Sequence, residues 1–286
     1  METKPLNGKA IYQPTGAAGE YAKYACNFYV GCSNDCEYCY CKRGLLGHSM
    51  GKPQATLKKC FKNEEHALEV FRKELTANLA ELRKHGLFFT FTSDPFLAET
   101  KELTIDSVTI ALSYDIPCKI LTKRADFVGD IPAYWKSEYR SKLAFGFTLT
   151  GCDELEPGAS TNAKRIACMR QLHVWGFKTF ASIEPIISLH GSETMILLTL
   201  DCCDLYKIGL MSGKRNYTKE QVELFCAYVN SLIAKRHANV RLHTDPPYNK
   251  PLVYWKDSVL KYLGESREHF CDCQFMVGAD YNMFNH

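Results

Sequence analysis

The chain has 286 residues, of which 46% are hydrophobic and 23% charged, and its formal net charge is +3 at pH 7. A chain of this length can bury a substantial core, and these proportions are typical of globular proteins. A nearly neutral chain lacks the broad positive surface of most nucleic-acid-binding proteins, so nucleic acid is not favoured as a partner, although a local basic groove stays open.

The expected localisation rests on two features of the sequence, the lack of membrane and signal segments and the number of cysteines. No apolar run is long enough to span a membrane, and the N-terminus has no signal-peptide pattern. Fourteen cysteines suit a reducing compartment, where thiols stay free. We therefore expect a cytoplasmic protein without a membrane partner, and a monomer.

Taken in chain order, extended apolar runs alternate with helical patterns. Asn63 is the expected N-cap of a long amphipathic helix that ends before Gly86. Predicted helices cover residues 64–84, 104–114, 159–175, 195–200 and 218–236. Predicted strands cover residues 24–30, 87–92, 118–122, 143–150, 178–183, 205–208 and 240–243.

This alternation is typical of parallel strand–helix–strand units. Six such units from the first strand onward predict an α/β fold, a partial (β/α)6 barrel. We expect residues 1–23 to form an N-terminal extension, residues 24–250 the barrel, and residues 251–286 a closing C-terminal segment packed on it. In parallel barrels the chemistry gathers at the carboxyl ends of the strands, so the loop after the first strand is the first place to search.

That loop carries three cysteines, Cys32, Cys36 and Cys39, in a C-x3-C-x2-C run. A structural zinc site takes four protein ligands, and ordinary iron–sulfur clusters take four cysteines. Three thiolates from one loop therefore leave a metal position open for chemistry. The alternative is a zinc knot with Cys41 as the fourth ligand, although such knots usually use two separated C-x2-C pairs.

The cysteine run, with Tyr38 before its last cysteine, resembles the signature of the radical S-adenosylmethionine (radical SAM) enzymes. The resemblance implies a [4Fe-4S] cluster on Cys32, Cys36 and Cys39, with S-adenosylmethionine on the fourth iron. It also implies a flavodoxin- or ferredoxin-type electron donor. The implied reaction cleaves S-adenosylmethionine to a 5′-deoxyadenosyl radical, which abstracts hydrogen from a substrate that the sequence does not identify.

Further segments look like the spore photoproduct lyase-like branch of that superfamily. They are residues 27–32, 39–40, 92–95, 121–123 and 147–150, spread over residues 25–190. The resemblance implies contacts to S-adenosylmethionine from Tyr38, Ser93, Asp94, Lys123, Thr148 and Ile183.

An amino-acid zwitterion needs an acceptor for its ammonium group and a cation for its carboxylate. Asp94 and Lys123 would supply that pair at successive strand ends. Ser93 would share the ammonium group with Asp94. The alternatives are a turn role for Asp94 before Pro95 and an exposed turn position for Lys123.

One departure from that branch bears on the activity. In the lyase a cysteine three residues before the Ser-Asp-Pro aspartate donates a hydrogen atom, and Phe91 stands at that position here. Tyr40 matches a radical-relay tyrosine, and Cys41 or Cys118 could replace the missing donor, with a buried structural role as the alternative for each cysteine. Tyr40 and Cys41 are therefore the candidate catalytic residues of a lyase- or oxidoreductase-like radical enzyme.

Two other classes of function stay open from the sequence. One is a non-catalytic iron–sulfur redox or binding protein, and the other is a zinc-stabilised nucleic-acid-binding module. The last third of the chain has no recognisable motif. Residues 243–248 and Glu184, both at predicted strand ends, are candidate substrate contacts, with a simple turn as the alternative for each.

Overall fold

The computed structural model describes residues 6–43, 47–213, 215–242, 249–270 and 273–285. The chain divides into two compact units, Met1–Ala144 with Glu154–Ser160, and Phe145–Asp153 with Thr161–His286. Each unit combines helices with parallel strands, and the first unit also has antiparallel pairs. The predicted α/β class is confirmed, while closure into a (β/α)6 barrel stays a prediction.

The first unit is built on a sheet with strand order β1-β2-β5-β6 and a separate two-stranded antiparallel sheet, β3–β4. The pairs β2–β5 and β5–β6 are parallel, and β1 is antiparallel to β2. The strands are β1 (Ile11–Tyr12), β2 (Ala25–Cys26), β3 (Tyr29–Val30), β4 (Thr56–Leu57), β5 (Leu87–Phe89) and β6 (Cys118–Thr122). The helices are α1 (Gly47–Met50), α2 (Glu64–Ala77), α3 (Leu79–His85), α4 (Lys101–Ser113) and α5 (Ala133–Glu138).

The single first strand predicted over residues 24–30 is wrong, because Asn27 divides it. Asn27 is buried, and its side-chain oxygen accepts hydrogen bonds from the Phe91 backbone at 2.9 Å and from the Thr90 hydroxyl. These bonds turn the chain out of the parallel sheet after β2. The following residues pair instead with β4.

The long helix predicted over residues 64–84 forms as two helices. Its expected N-cap is confirmed, since the Asn63 side chain accepts from the His66 backbone at 2.8 Å. The helix breaks at Asn78, whose side chain donates to the Glu74 carbonyl at 2.7 Å and competes with the helical hydrogen bonds. The second piece ends at Gly86, which has φ of +74°.

The second unit contains strands in the order β7-β8-β9-β10, with β8–β9 and β9–β10 parallel. The strands are β7 (Leu143–Thr148), β8 (Lys178–Ile186), β9 (Leu205–Leu210) and β10 (Leu252–Trp255). The helices are α6 (Asn162–Val174), α7 (Leu189–Thr199), α8 (Lys219–Leu242), α9 (Asp257–Leu263) and α10 (Arg267–Phe270).

The last predicted strand, residues 240–243, is wrong, because α8 continues through Leu242. A helix that has already formed extends readily, since each further residue adds one backbone hydrogen bond. The strand of this region is β10 instead, which carries the strand-forming residues Val253, Tyr254 and Trp255. Residues 243–248, proposed as a substrate contact, lie outside the described residues.

Aromatic side chains fill the core of each unit. Phe71, Phe88 and Phe89 are fully buried in the first unit, and Phe180 and Trp255 in the second. Burial of such large apolar surfaces is the main term that stabilises each unit. None of the described helices combines the length and the apolar character that a membrane crossing needs.

Candidate functional site

The cysteine loop leaves β3 through Gly31, which has φ of +85°. A Cβ atom there would lie 2.2 Å from the Gln54 carbonyl oxygen, so the close approach of the two chains needs glycine. The backbone N–H of Cys32 then donates to the Lys52 carbonyl at 3.0 Å. The loop is thereby fixed at its start by the chain that follows α1.

The three cysteines of the loop are free thiols in different surroundings. Cys36 is buried, and Cys32 and Cys39 are half-buried. Burial raises the pKa of Cys32 to about 12 and also raises the pKa of Cys36. A hydrogen bond with the Cys41 thiol lowers the pKa of Cys39 to about 6. The positive charge of Lys123 acts to lower the pKa of all three, so this lysine favours thiolates across the loop.

Within the described part of the chain, no three His, Cys, Asp or Glu side chains converge on a common metal position. Cys32, Cys36 and Cys39 are therefore gathered on one loop and not around one point. Their identity as soft sulfur donors matches an iron–sulfur or zinc site.

Asp94 is a buried junction between three segments. Its Oδ1 accepts from the Phe96 backbone at 3.0 Å and from the Thr122 hydroxyl at 2.6 Å. Its Oδ2 accepts from the Asn34 side chain at 2.8 Å and from the Lys123 backbone at 2.7 Å. The carboxylate, 5% exposed, thus joins the cysteine loop to the ends of β5 and β6. Four protein donors occupy the oxygens that the sequence assigned to a ligand ammonium group.

Two buried acceptors next to Asp94 are not satisfied by protein. Asn34 Oδ1 and Ser93 Oγ are both inaccessible to solvent and have no hydrogen-bond partner among the described residues. Buried polar atoms nearly always have partners, so two orphans in adjacent segments indicate a ligand site. Ser93 was a predicted contact. Asn34 was missed, and its only signal was its position between the first two cysteines.

Lys123, Tyr38 and Glu156 form a second group in the same unit. The Lys123 ammonium lies 5.5 Å from the centre of the Tyr38 ring, a cation–π distance. The Tyr38 hydroxyl donates to the Glu156 carboxylate, which is 3% exposed. Glu156 lies in a loop without a motif, and no sequence signal identified it. The structure thus adds the carboxylate of Glu156 to the predicted pair Tyr38 and Lys123.

Glu156 belongs to a segment, Glu154–Ser160, that we call the strap. The strap binds the cysteine loop through its backbone: Glu37 N–H donates to the Leu155 carbonyl at 3.0 Å, and Gly158 N–H donates to the Asn34 carbonyl at 3.1 Å. It therefore holds the loop between its first and last cysteines.

The strap also binds the end of β6. Ser160 N–H donates to the Lys123 carbonyl at 3.0 Å, and Arg124 donates to the Gly158 carbonyl at 2.7 Å. A Cβ atom on Gly158 would lie 1.9 Å from the Ser33 carbonyl oxygen. Only glycine allows this contact, so the strap is matched in shape to the loop that it covers.

The candidate catalytic residues meet at Phe91. The Tyr40 hydroxyl donates to the Phe91 carbonyl, and the Cys41 sulfur lies 3.9 Å from the same oxygen. Cys41 is buried, whereas Tyr40 is 54% exposed. Cys118, the other candidate donor, is fully buried in β6 and hydrogen-bonds the Ile116 carbonyl. Cys41 is thus the thiol that the structure brings to the backbone of Phe91.

The remaining predicted cofactor residues lie in the second unit. Thr148 ends β7, is 4% exposed, and accepts a hydrogen bond from Arg165 at its carbonyl, at 2.5 Å. Ile183 is fully buried in β8 and pairs in register with Ile208. Tyr38, Ser93, Asp94 and Lys123 all lie in the first unit.

Comparison with known proteins gives only distant similarities. No protein-family model matches the chain. A stretch of 195 residues, 65% of this chain, is 26% identical to the uncharacterized protein MJ0683 of Methanocaldococcus jannaschii and covers 68% of that protein. The fold is similar to the crystal structure of Streptococcus suis SuiB bound to S-adenosylmethionine, with a TM-score of 0.46 and 13% identity over 73% of this chain. The matched part spans 43% of the SuiB chain, and both similarities are too distant to assign this chain to a family.

Proposed function

We propose that this chain is a radical SAM enzyme whose [4Fe-4S] cluster is held by Cys32, Cys36 and Cys39. The observation that carries the proposal is the pair of buried, unpartnered acceptors, Asn34 Oδ1 and Ser93 Oγ, in the cysteine loop and the adjoining strand end. Three cysteine ligands leave a metal position open, and the two acceptors lie beside the cysteine loop. This arrangement suits a ligand that binds the metal and donates hydrogen bonds to the two acceptors.

The donor set fits the implied cluster in chemistry. Iron–sulfur clusters are held by cysteine thiolates, and all three cysteines are free. Burial raises the pKa of Cys32 and Cys36, and the charge of Lys123 opposes that effect. Three ligands leave one iron for an exchangeable ligand. The proposal is supported by the chemical identity of the three donors, since their side chains do not converge on one point. The three side chains must therefore turn toward a common point when the cluster binds.

When bound, the cluster and S-adenosylmethionine supply reductive cleavage to methionine and a 5′-deoxyadenosyl radical. The chain's own residues bind and orient the methionine part. Asn34 Oδ1 and Ser93 Oγ accept from its ammonium group, and Lys123 pairs with its carboxylate. Asp94 acts one step away, because its oxygens are filled by protein donors and it holds Asn34 in place.

The reaction that we propose is a hydrogen abstraction of the spore photoproduct lyase-like kind, with an altered hydrogen donor. The Phe91 ring has no thiol to give, and it stacks on Phe88 at 4.3 Å. Cys41 contacts the Phe91 carbonyl and is the thiol that supports this role, with Tyr40 as relay. The activity is lyase- or oxidoreductase-like, and a flavodoxin- or ferredoxin-type protein is the proposed reductant.

One contact favours a second candidate, a non-catalytic site closed by four cysteines. The Cys41 thiol hydrogen-bonds Cys39, which brings a fourth sulfur donor to the loop. If Cys41 were the fourth ligand, the metal would be structural or redox-active without an open position.

Anaerobic reconstitution with iron and sulfide tests both candidates. We expect about four irons per chain and an electron paramagnetic resonance spectrum that changes when S-adenosylmethionine is added to the reduced protein. Cys36→Ser abolishes the signal, whereas Cys60→Ser, a change at a half-buried cysteine outside the run, preserves it. Formation of 5′-deoxyadenosine and methionine with dithionite completes the test. A spectrum that is indifferent to S-adenosylmethionine until Cys41 is replaced would reject the enzyme and favour the closed site.

A further inference from the structure

Most of the exposed large apolar side chains lie on three neighbouring helices of the second unit. Among the described residues, seven such side chains are exposed, and five of them belong to α6, α7 and α8. They are Val174, Leu197, Leu198, Leu224 and Tyr228. Helix α7 packs against both α6 and α8. Exposed apolar surface that is concentrated on neighbouring helices indicates an interaction surface.

Helix α8 carries the most exposed of these side chains. Leu224 is 72% exposed, and Tyr228, one turn further along, is 43% exposed. The opposite face of the helix is apolar and buried in the unit, through Val222, Phe225, Cys226, Val229 and Ile233. A helix on the surface of a unit needs one apolar face for packing. Leu224 and Tyr228 therefore form a second apolar surface, which packing within the unit leaves uncovered.

Leu224 and Tyr228 belong to a longer exposed stripe on α8. Each residue of the stripe stands three or four positions from another, which places them all on one face of the helix. We call this face the outer stripe, and it consists of the exposed residues Glu220, Leu224, Ala227, Tyr228, Ser231 and Lys235.

The two charges of the outer stripe lie at opposite ends of it. Glu220 is in the first turn of α8, and Lys235 follows about four turns later. Among the described residues, neither charge takes part in an ion pair, and the neighbouring Lys219 pairs with Glu223. A stripe that is acidic at one end and basic at the other is complementary to a second copy of itself that runs antiparallel.

Antiparallel pairing also matches the outer stripe in shape. A two-fold axis between Ala227 and Tyr228 brings the acidic end of each copy to the basic end of the other. The same axis places Leu224 opposite Ser231 of the second copy, and Tyr228 opposite its Ala227. Each large side chain thus meets a small one. A surface that fits a second copy of itself about a two-fold axis is what a symmetric dimer requires.

We infer that the outer stripe of α8 binds a second copy of this chain and forms the centre of a symmetric, antiparallel dimer. The apolar side chains exclude water from the contact, and the charges at its ends fix direction and register. Leu197 and Leu198 of α7 extend the apolar surface beside it. This inference goes beyond the proposed radical chemistry, which makes no use of α8, and it opposes the monomer that we expect from the sequence.

Sedimentation velocity of the full chain at low ionic strength tests the inference, over concentrations of about 1–100 μM. We expect a reversible dimer. Leu224→Glu should raise its dissociation constant by about tenfold or more, because it buries two carboxylates in the contact. Val174→Glu is the matched control, since it changes a similarly exposed apolar residue on α6, beyond α7, and should leave the dimer unchanged. A monomer at every concentration, or equal weakening by the two variants, would overturn the inference.

Reversal of the end charges tests the antiparallel arrangement. Glu220→Lys and Lys235→Glu should each weaken the dimer by about tenfold, because the two-fold axis places like charges opposite each other twice. The double variant restores opposite charges and should bind within about threefold of the unaltered chain. A double variant that stays as weak as the single variants would contradict the proposed pairing. Both residues are exposed, so the fold should be retained, which circular dichroism checks. No iron or S-adenosylmethionine is added, so the result does not depend on the cluster reconstitution.

Discussion

The Tyr38 hydroxyl donates a hydrogen bond to the Glu156 carboxylate across 118 residues of sequence. This bond closes the strap over the cysteine loop, and it carries the first prediction. Tyr38→Phe and Glu156→Gln should each lower the free energy of unfolding by about 1–2 kcal/mol. The double variant should lose little more than either single variant, because both remove the same interaction. Urea unfolding of the four proteins checks the cycle. Fully additive losses would show that the two side chains act separately.

The shape of the strap makes a second prediction at Gly158. A methyl group there meets the Ser33 carbonyl at 1.9 Å, so Gly158→Ala should force the strap from the loop and destabilise the chain by about 2 kcal/mol. Gly129→Ala is the matched control, since nothing lies within 4 Å of its added Cβ. Thiol titration with an aromatic disulfide measures the effect, and Cys36 should react faster in the first variant only. Unchanged thiol reactivity would show that the strap does not cover the loop in solution.

The role of Asp94 gives a third prediction. Asp94→Asn places an amide nitrogen against protein donors in a buried site and should cost about 3 kcal/mol. Asp126→Asn, which weakens the ion pair between Arg124 and the 60% exposed carboxylate of Asp126, should cost less than about 1 kcal/mol. Thermal and denaturant unfolding compare the two. If Asp94→Asn lowered the free energy of unfolding only slightly and abolished S-adenosylmethionine binding, Asp94 would contact the ligand directly, as the sequence predicts.

The lowered pKa of the Cys39 thiol predicts how its rate of alkylation depends on pH. Its pKa is lowered to about 6 by the hydrogen bond with Cys41, so it should be alkylated at a nearly constant rate above that pH and more slowly as pH falls through it. The same shift stabilises the fold above the ordinary thiol pKa, and this contribution disappears as pH falls through the lowered one. Cys41→Ala should return the pKa of Cys39 toward its usual range and slow alkylation at pH 7 by about tenfold. Cys60 is the internal control in mass-spectrometric rates.

Much of the fold follows from local pattern. Strand β6 covers residues 118–122, which the sequence predicts to be extended, and α2 begins at the predicted Asn63 cap. The predictions are wrong where contacts between residues distant in sequence determine the secondary structure. Asn27 divides the first strand because residues 90 and 91 bind its side chain from another part of the chain. Local propensity carries no information about such bonds.

The candidate site likewise contains residues that short sequence motifs indicate and residues that only the folded structure brings to it. The cysteine spacing, Ser93 and Lys123 were predicted as candidates because they stand in recognisable short motifs. Asn34 and Glu156 were not, since their importance arises from burial and from partners far along the chain. The assignments of Thr148 and Ile183 stay predictions, as does the division into extension, barrel and closing segment.

The strap also makes the first unit discontinuous in sequence, because Glu154–Ser160 belongs with residues up to Ala144. A fragment that stops at Ala144 would lack the Glu156 carboxylate that accepts from Tyr38 and the strap groups that bind the Asn34 carbonyl and the Glu37 N–H. The unit that contains the cysteine loop is therefore not expected to fold as a simple N-terminal piece. During synthesis, the cysteine loop reaches its final form only after residue 160 has left the ribosome.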